Sequence, residues 1–285
     1  MALPPSETVA APPDVYGWDW TATTHIADHE VDRASEDGWR VLAHDLVDAL
    51  GGSVALPGKG LQGWGRSVVV YDDAGYKLGT VYCSGRPDVH VQATGSEAEA
   101  SRWAVRNIGN PGTARVDTRV DTLVPYEELQ AICEDVAGPQ TKVMYVESKV
   151  GGQSTGRTMY VGSPTSAVRV RLYEKWLEAE PGQYDEGTNR VEVQLRPPSR
   201  GKQDVTGWTP AETFCASKLT RRLAAELGTE LARPGTLQKH KGTPDLERTL
   251  AAMGEQYGRA VDRWLRVSSG DVGRVLDHLT GSVAS

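Results

Sequence analysis

Three short segments alternate apolar and polar residues with a period of two. Side chains on a β-strand point to opposite faces in turn. Over residues 115–121, Arg115, Asp117, Arg119 and Asp121 therefore share one face, while Val116, Thr118 and Val120 share the other. Over 168–175, Val168, Val170 and Leu172 oppose Arg169, Arg171, Tyr173 and Lys175. Over 190–196, Val191, Val193 and Leu195 oppose Arg190, Glu192, Gln194 and Arg196. Counted over 115–121, 169–175 and 190–196, these segments hold seven basic and four acidic residues, a net +3 in a chain whose formal charge is −7. A solvated outer face mixes Thr, Lys, Glu and Ser, whereas this one gathers arginine around two aspartates, a glutamate and a tyrosine. Such a set suits metal-assisted phosphoryl transfer. Carboxylates are hard ligands for Mg²⁺ or Mn²⁺, the metal neutralises phosphate oxygens, and arginines grip the remaining oxygens. A tyrosine in that setting can be the nucleophile, provided that nearby positive charge favours its phenolate; Arg171, Lys175 and a metal would supply that charge. Of the ten tyrosines, Tyr173 alone shares a strand face with Arg171 and Lys175. Tyr160 has Thr158 and Gly162 as its same-face neighbours, and Tyr184 lies in a Pro-Gly-Gln loop.

The elements that must position this set read as an α+β chain. Strand-period segments occupy residues 16–26, 66–71, 77–82 and 89–94, with helices over 35–50 and 96–108. The pattern then restarts with a strand over 114–124, a helix over 125–136 that has Pro125 in its first turn, and strands over 142–147, 157–161 and 168–176. A further strand, 189–196, has no evident partner in the first half. A weak repeat supports duplication: TVYCSG at 80–85 followed by VHVQAT at 89–94 echoes TMYVGS at 158–163 followed by VRVRLY at 168–173. Four regions follow: a Pro-rich disordered tail over 1–14, a first α+β half over 15–110, a second half carrying the charged strands over 111–200, and a helical C-terminal region over 201–285. In the last, 210–227, an amphipathic stretch over 243–264 and a short segment to 279 read as helices packing on the sheet.

Composition bounds the alternatives. The 285 residues are 39% hydrophobic and 24% charged, with mean hydropathy −0.44, and no apolar run nears the roughly 20 residues of a membrane span. Without an apolar leader segment, the expected location is the cytoplasm, with no membrane partner. Cys83, Cys133 and Cys215 are odd in number and widely spaced, which fits neither a disulfide framework nor a zinc knuckle. Asp88-Val89-His90 puts a single histidine on its strand, so a His-x-His nicking motif is excluded. His25 and His29 sit in a loop-like context that does not suit a metal, and the glycine-rich stretch 58–65 lacks the spacing of a nucleotide-binding loop. It reads as a mobile hairpin. Trp64, Trp103, Trp176 and Trp208 could stack bases, with core packing as the default.

The ordered motifs resemble a known family. TMYVGSPTS at 158–166, VRVRLYEKW at 168–176 and NRVEVQLR at 189–196, preceded by ARVDTRVDTLV at 114–124, are similar to the replication initiation factor family. This is the Rep_trans group of rolling-circle plasmid and phage initiators and of relaxases from integrative elements. The resemblance spans about residues 67–227. It implies a duplicated, saddle-like antiparallel β-sheet core with flanking helices, and an enzyme that nicks and rejoins DNA. Tyr173 would become linked to a DNA 5′-phosphate, and Asp117, Asp121 and Glu192 would hold Mg²⁺ or Mn²⁺. Arg169, Arg171 and Lys175 would handle phosphate, and Arg115, Arg119, Arg169, Arg190 and Arg196 would line the DNA-binding face. Thr94 would take the place of Tyr173 in the first half. The implied partner is DNA, as a single strand or an origin hairpin, with room for a helicase and for a homodimer. The other reading of the same face is a DNA-binding module without catalysis. Two departures stand out: initiators of this kind are often basic whereas this chain is acidic, and its tail and C-terminal helices match no specificity element.

Overall fold

The computed structural model describes residues 16–26 and 38–228. The tail over 1–14, His29 and the stretches 243–264 and 268–279 lie outside them. The first half comprises β1 (Tyr16–Ile26), α1 (Gly38–Ala49), β2 (Val54–Lys59), β3 (Arg66–Tyr71), β4 (Lys77–Cys83), β5 (Val89–Thr94) and α2 (Glu97–Val105). The second comprises β6 (Asn110–Thr122), α3 (Tyr126–Ala137), β7 (Val143–Val150), β8 (Gln153–Val161), β9 (Val168–Glu174), the single-turn α4 (Lys175–Glu178) and β10 (Asn189–Leu195). Three short helices follow: α5 (Lys202–Thr206), α6 (Pro210–Phe214) and α7 (Lys218–Glu226).

All ten strands form one antiparallel sheet in the order β2-β3-β4-β5-β1-β6-β10-β9-β8-β7. About the β1/β6 seam this order mirrors itself, so β5 corresponds to β10, β4 to β9, β3 to β8 and β2 to β7. The duplicated α+β core is thus present in the topology. β10, without a partner in the sequence reading, is matched by β5. The sequence echo is one strand out of step: it aligns β4 with β8 and β5 with β9. Thr94, on β5, is therefore not the counterpart of Tyr173, which must be sought on β4. The mismatch arises because β2, with Pro57 and Gly58, does not read as a strand. It is tolerated as an edge strand, where a proline costs no ladder hydrogen bond.

Alternation sorts the sheet into two faces, and the helices cover one of them. In the first half, Leu42 and Leu46 of α1, with Leu50 just after it, pack on Val70, Val81, Val89 and Val91. In the second, Leu129 and Cys133 of α3, Phe214 of α6 and Leu223 of α7 pack on Met159, Val170, Leu172, Val191 and Val193. Trp18, Val116, Leu195 and Val205 fill the space near the seam. α6 and α7 begin with capping boxes at Thr209 and Ser217, which satisfy their first backbone donors. All three cysteines are buried and form no disulfide among the described residues. Among the described residues no helix is long and apolar enough to cross a membrane.

Leu172 is fully buried on the helix-covered face, back to back with the charged one. Leu172→Ala should cost about 2–5 kcal/mol in urea unfolding. A loss below about 1 kcal/mol would contradict its place in the packed layer.

Candidate active site

The pairing register assembles the charged segments into rungs across β6, β10 and β9. One rung is Asp121–Arg190–Tyr173, the next Arg119–Glu192–Arg171, and the third Asp117–Gln194–Arg169. β8 extends the first two with Thr158 and Tyr160. Successive rungs are about 7 Å apart, two residues of strand rise. The sequence-derived site residues on β6, β9 and β10 thus share one sheet face. Lys175 is displaced, because the strand ends at Glu174, whose carboxylate accepts hydrogen bonds from the Arg157 backbone and guanidinium. Lys175 instead opens α4, with its ammonium 5.8 Å from the Tyr173 ring centroid.

A residue missed by the sequence reading completes the face. A register shift between Trp18 and Trp20 marks a β-bulge at Asp19, a device that re-aims side chains. The Asp19 carboxylate accepts from Arg190 at 2.5 Å. The signal available was a lone acid inside an otherwise aromatic and hydroxylic strand. Arg190 is 2% exposed and also holds Asp121 in a fork, Nε at 2.6 Å and Nη2 at 2.9 Å, while donating to the Tyr184 hydroxyl. Asp121 accepts from Arg119 as well.

The expected trio of metal ligands is therefore divided. Asp117 and Asp121 are four residues apart on one strand, about 13 Å, too far to share one ion, and Asp121 is taken up by Arg190 and Arg119. Among the described residues no group of three or more His, Cys, Asp or Glu side chains is placed to hold a metal. Asp117 and Glu192 do come together, 1% and 2% exposed. Burial pushes the Asp117 carboxyl above its ordinary range against the opposing pull of Arg115. Burial and then the Asp117 charge push Glu192 up to about 7. Arg115 pairs with Asp117, Gln194 donates to Glu192 at 2.9 Å, and Arg171 lies 3.5 Å from Glu192.

Tyr173 is 3% exposed. Burial drives its phenol pKa well above the usual value; Arg190 opposes this, and Asp19, Glu192 and Glu178 add to it. Arg171, whose guanidinium lies over the ring face at 3.9 Å, attracts the phenolate, but neither it nor Lys175 offsets the burial. Both cations are instead occupied by Glu178 of α4, each at 3.0 Å. Lys175 and Arg190 also lie over the Tyr184 ring, at 5.4 and 5.6 Å. The β9–β10 connection thus sets a carboxylate where a phosphate would engage Arg171 and Lys175. The remaining arginines of the face, Arg169 and Arg196, form no ion pair among the described residues; Arg169 stacks over Tyr160 at 3.9 Å.

His25 and His90 serve structure. His25 contacts Thr23 and the Ile108 carbonyl, and His90 contacts Thr24 and stacks on Trp64. In the 58–65 segment a side chain at Gly60 would meet the Trp64 carbonyl oxygen at 1.7 Å.

No family model matches the chain, and no curated protein matches it either. Among solved structures, a rolling circle replication initiator protein from Geobacillus stearothermophilus is similar, with a TM-score of 0.52 and 22% identity over 82% of this chain and 90% of that one. The two chains share a fold. In this chain the fold sets a tyrosine, a carboxylate pair and an arginine set on one sheet face.

Two measurements probe this electrostatic arrangement. With its folded-state pKa raised from 4.5 to about 7, Glu192 keeps its proton in the folded protein where the unfolded chain has lost it. Stability contributed by that proton is full below the unfolded value and is lost as pH rises through the window. Glu192→Gln should therefore gain stability relative to wild type between pH values near 5 and near 8 in urea melts; parallel pH profiles would place the Glu192 pKa elsewhere. Glu178→Gln should release Arg171 and Lys175 and tighten the binding of inorganic phosphate a few-fold in EDTA. Unchanged affinity would show that Glu178 does not compete with phosphate.

Proposed function

We propose that this chain is a rolling-circle replication initiator or relaxase that nicks one DNA strand through Tyr173. The observation that carries the reading is the register itself, which places Tyr173, Arg190, Arg171, Glu192 and Asp117 on adjacent rungs of one face. In the proposed step the Tyr173 phenol oxygen attacks phosphorus and the 3′-oxygen leaves as a hydroxyl. The 5′-phosphate remains on the tyrosine. The phosphotyrosine ester retains the energy of the broken phosphodiester, so attack by a 3′-hydroxyl restores the strand and the phenol without ATP. The shared fold supports this assignment, as does the chemistry of the side chains.

Asp117 and Glu192 fit a divalent cation. They are two buried carboxylates in contact, each with a raised pKa, and opposite charge between them relieves their repulsion. They would hold Mg²⁺ or Mn²⁺, which when bound supplies charge neutralisation on the phosphate oxygens. Asp121 takes a different role, orienting Arg190 beside Tyr173, and Asp19 shares that work. The phenol is held protonated until the strand binds. Displacement of Glu178 by a phosphate frees Arg171 and Lys175 for the phosphate oxygens.

Tyr173→Phe removes one oxygen and little volume. The expected result is a folded protein that still binds single-stranded DNA yet forms no covalent adduct with origin DNA in Mn²⁺ on a denaturing gel. An adduct at the wild-type rate, mapped to another tyrosine, would sink the assignment. A fold-level readout checks the metal: Mn²⁺ should raise the melting temperature of wild type and leave that of Glu192→Gln unmoved.

A further inference from the structure

Beyond the proposed nicking centre, the same face carries two arginines that form no ion pair among the described residues. At the far end of the rungs, Arg169 Nε and Arg196 Nη1 are buried without a hydrogen-bond partner among the described residues. Neither guanidinium takes part in an ion pair there, unlike Arg119, Arg190 and Arg171, each of which is committed to a carboxylate. Burial and the Arg115 and Arg169 charges hold the Arg196 pKa below the ordinary arginine value, with the Asp117 charge opposing them. A buried donor left without a partner is costly, and like charges gathered together add to the cost, so the arrangement is one that an anion would relieve. The β8–β9 hairpin fixes its wall. The Ala167 carbonyl accepts from the Arg196 backbone N–H at 2.7 Å. Gly162, at φ +102°, lets the hairpin approach, since a side chain there would meet the Val168 carbonyl oxygen at 3.1 Å.

We propose that Arg169 and Arg196, beside the Arg115–Asp117 pair, form a second phosphate subsite, which holds the backbone of a single DNA strand running along β9 and β10 from the Tyr173 end. The proposal rests on the nicking reading for the identity of its ligand. Arg169 lies four residues along β9 from Tyr173, about 13 Å, so the subsite takes a phosphate of the same strand at a distance from the one attacked. A duplex footprint engages roughly 6–10 phosphates. Two arginines of this face without an ion pair among the described residues, in a chain of net charge −7, suit one strand's backbone instead.

The test uses the full chain and a fluorescein-labelled oligothymidine of about 20 nucleotides, titrated over a range of salt in EDTA so that no nicking occurs. Arg169→Gln and Arg196→Gln should each weaken binding and make the slope of log K against log[salt] shallower by about 0.7, the single-strand value for one lost phosphate contact. Arg196→Lys, which keeps the charge, should restore the slope. The double variant Arg171→Gln/Arg196→Gln should lose about 1.4, because one strand touches both ends of the face. Unchanged slopes in the single glutamine variants would overturn the subsite. Loss in the double variant no greater than in either single would overturn the path along the strands. Either failure leaves adduct formation at Tyr173 intact, whereas failure of the adduct leaves these slopes standing.

Discussion

Arg190 holds the charged face together. Its buried guanidinium sits on β10 and reaches across β6 to β1, taking Asp121 in a fork and Asp19 at its other end. Charge-assisted bonds of this kind are strong and geometrically demanding. Removal of a buried partner leaves an uncompensated charge that costs several kcal/mol. The seam between the two halves is thus crossed by an ionic bridge on one face and by Trp18, Val116 and Leu195 on the other. The position of Tyr173 follows, because it is the cross-strand partner of Arg190. So does the division of the acids: with Asp121 committed to Arg190, only Asp117 and Glu192 remain to face each other.

The face therefore separates into groups with different tasks. Arg119 and Arg190 are fixed by Asp121 and Asp19. Arg171 and Lys175 are held by Glu178, a contact that a phosphate can replace. Arg169 and Arg196 are held by no acid among the described residues. An acidic chain can in this way present a local surface that attracts phosphate, since binding depends on which cations are free and not on the sum over the molecule.

The period-two alternation of β6, β9 and β10 made the shared face legible before any coordinates, because strand geometry alone decides which side chains go together. It could not show the rungs. Whether Asp117 meets Glu192 or Asp121 depends on how strands are offset, which alternation leaves open. Simple strand rise would have separated Asp117 from Asp121, and the resemblance to a family pattern grouped them. Asp19 was hidden because its placement needs a bulge, a feature of pairing and not of local sequence. Lys175 was drawn onto the strand by continued alternation, yet Arg157 captures Glu174 and the chain turns away. β2 was lost to its proline and glycine, and with it went the correct alignment of the two halves.

The proline in β2 bears on assembly. A sheet of ten strands has two free rims, here β2 and β7, and an open rim invites a neighbouring chain to add a strand. Pro57 lacks the outward N–H that an added strand would need, and β7 carries Glu147 and Lys149 as an exposed ion pair. Both rims thus resist lengthening of the sheet by another copy.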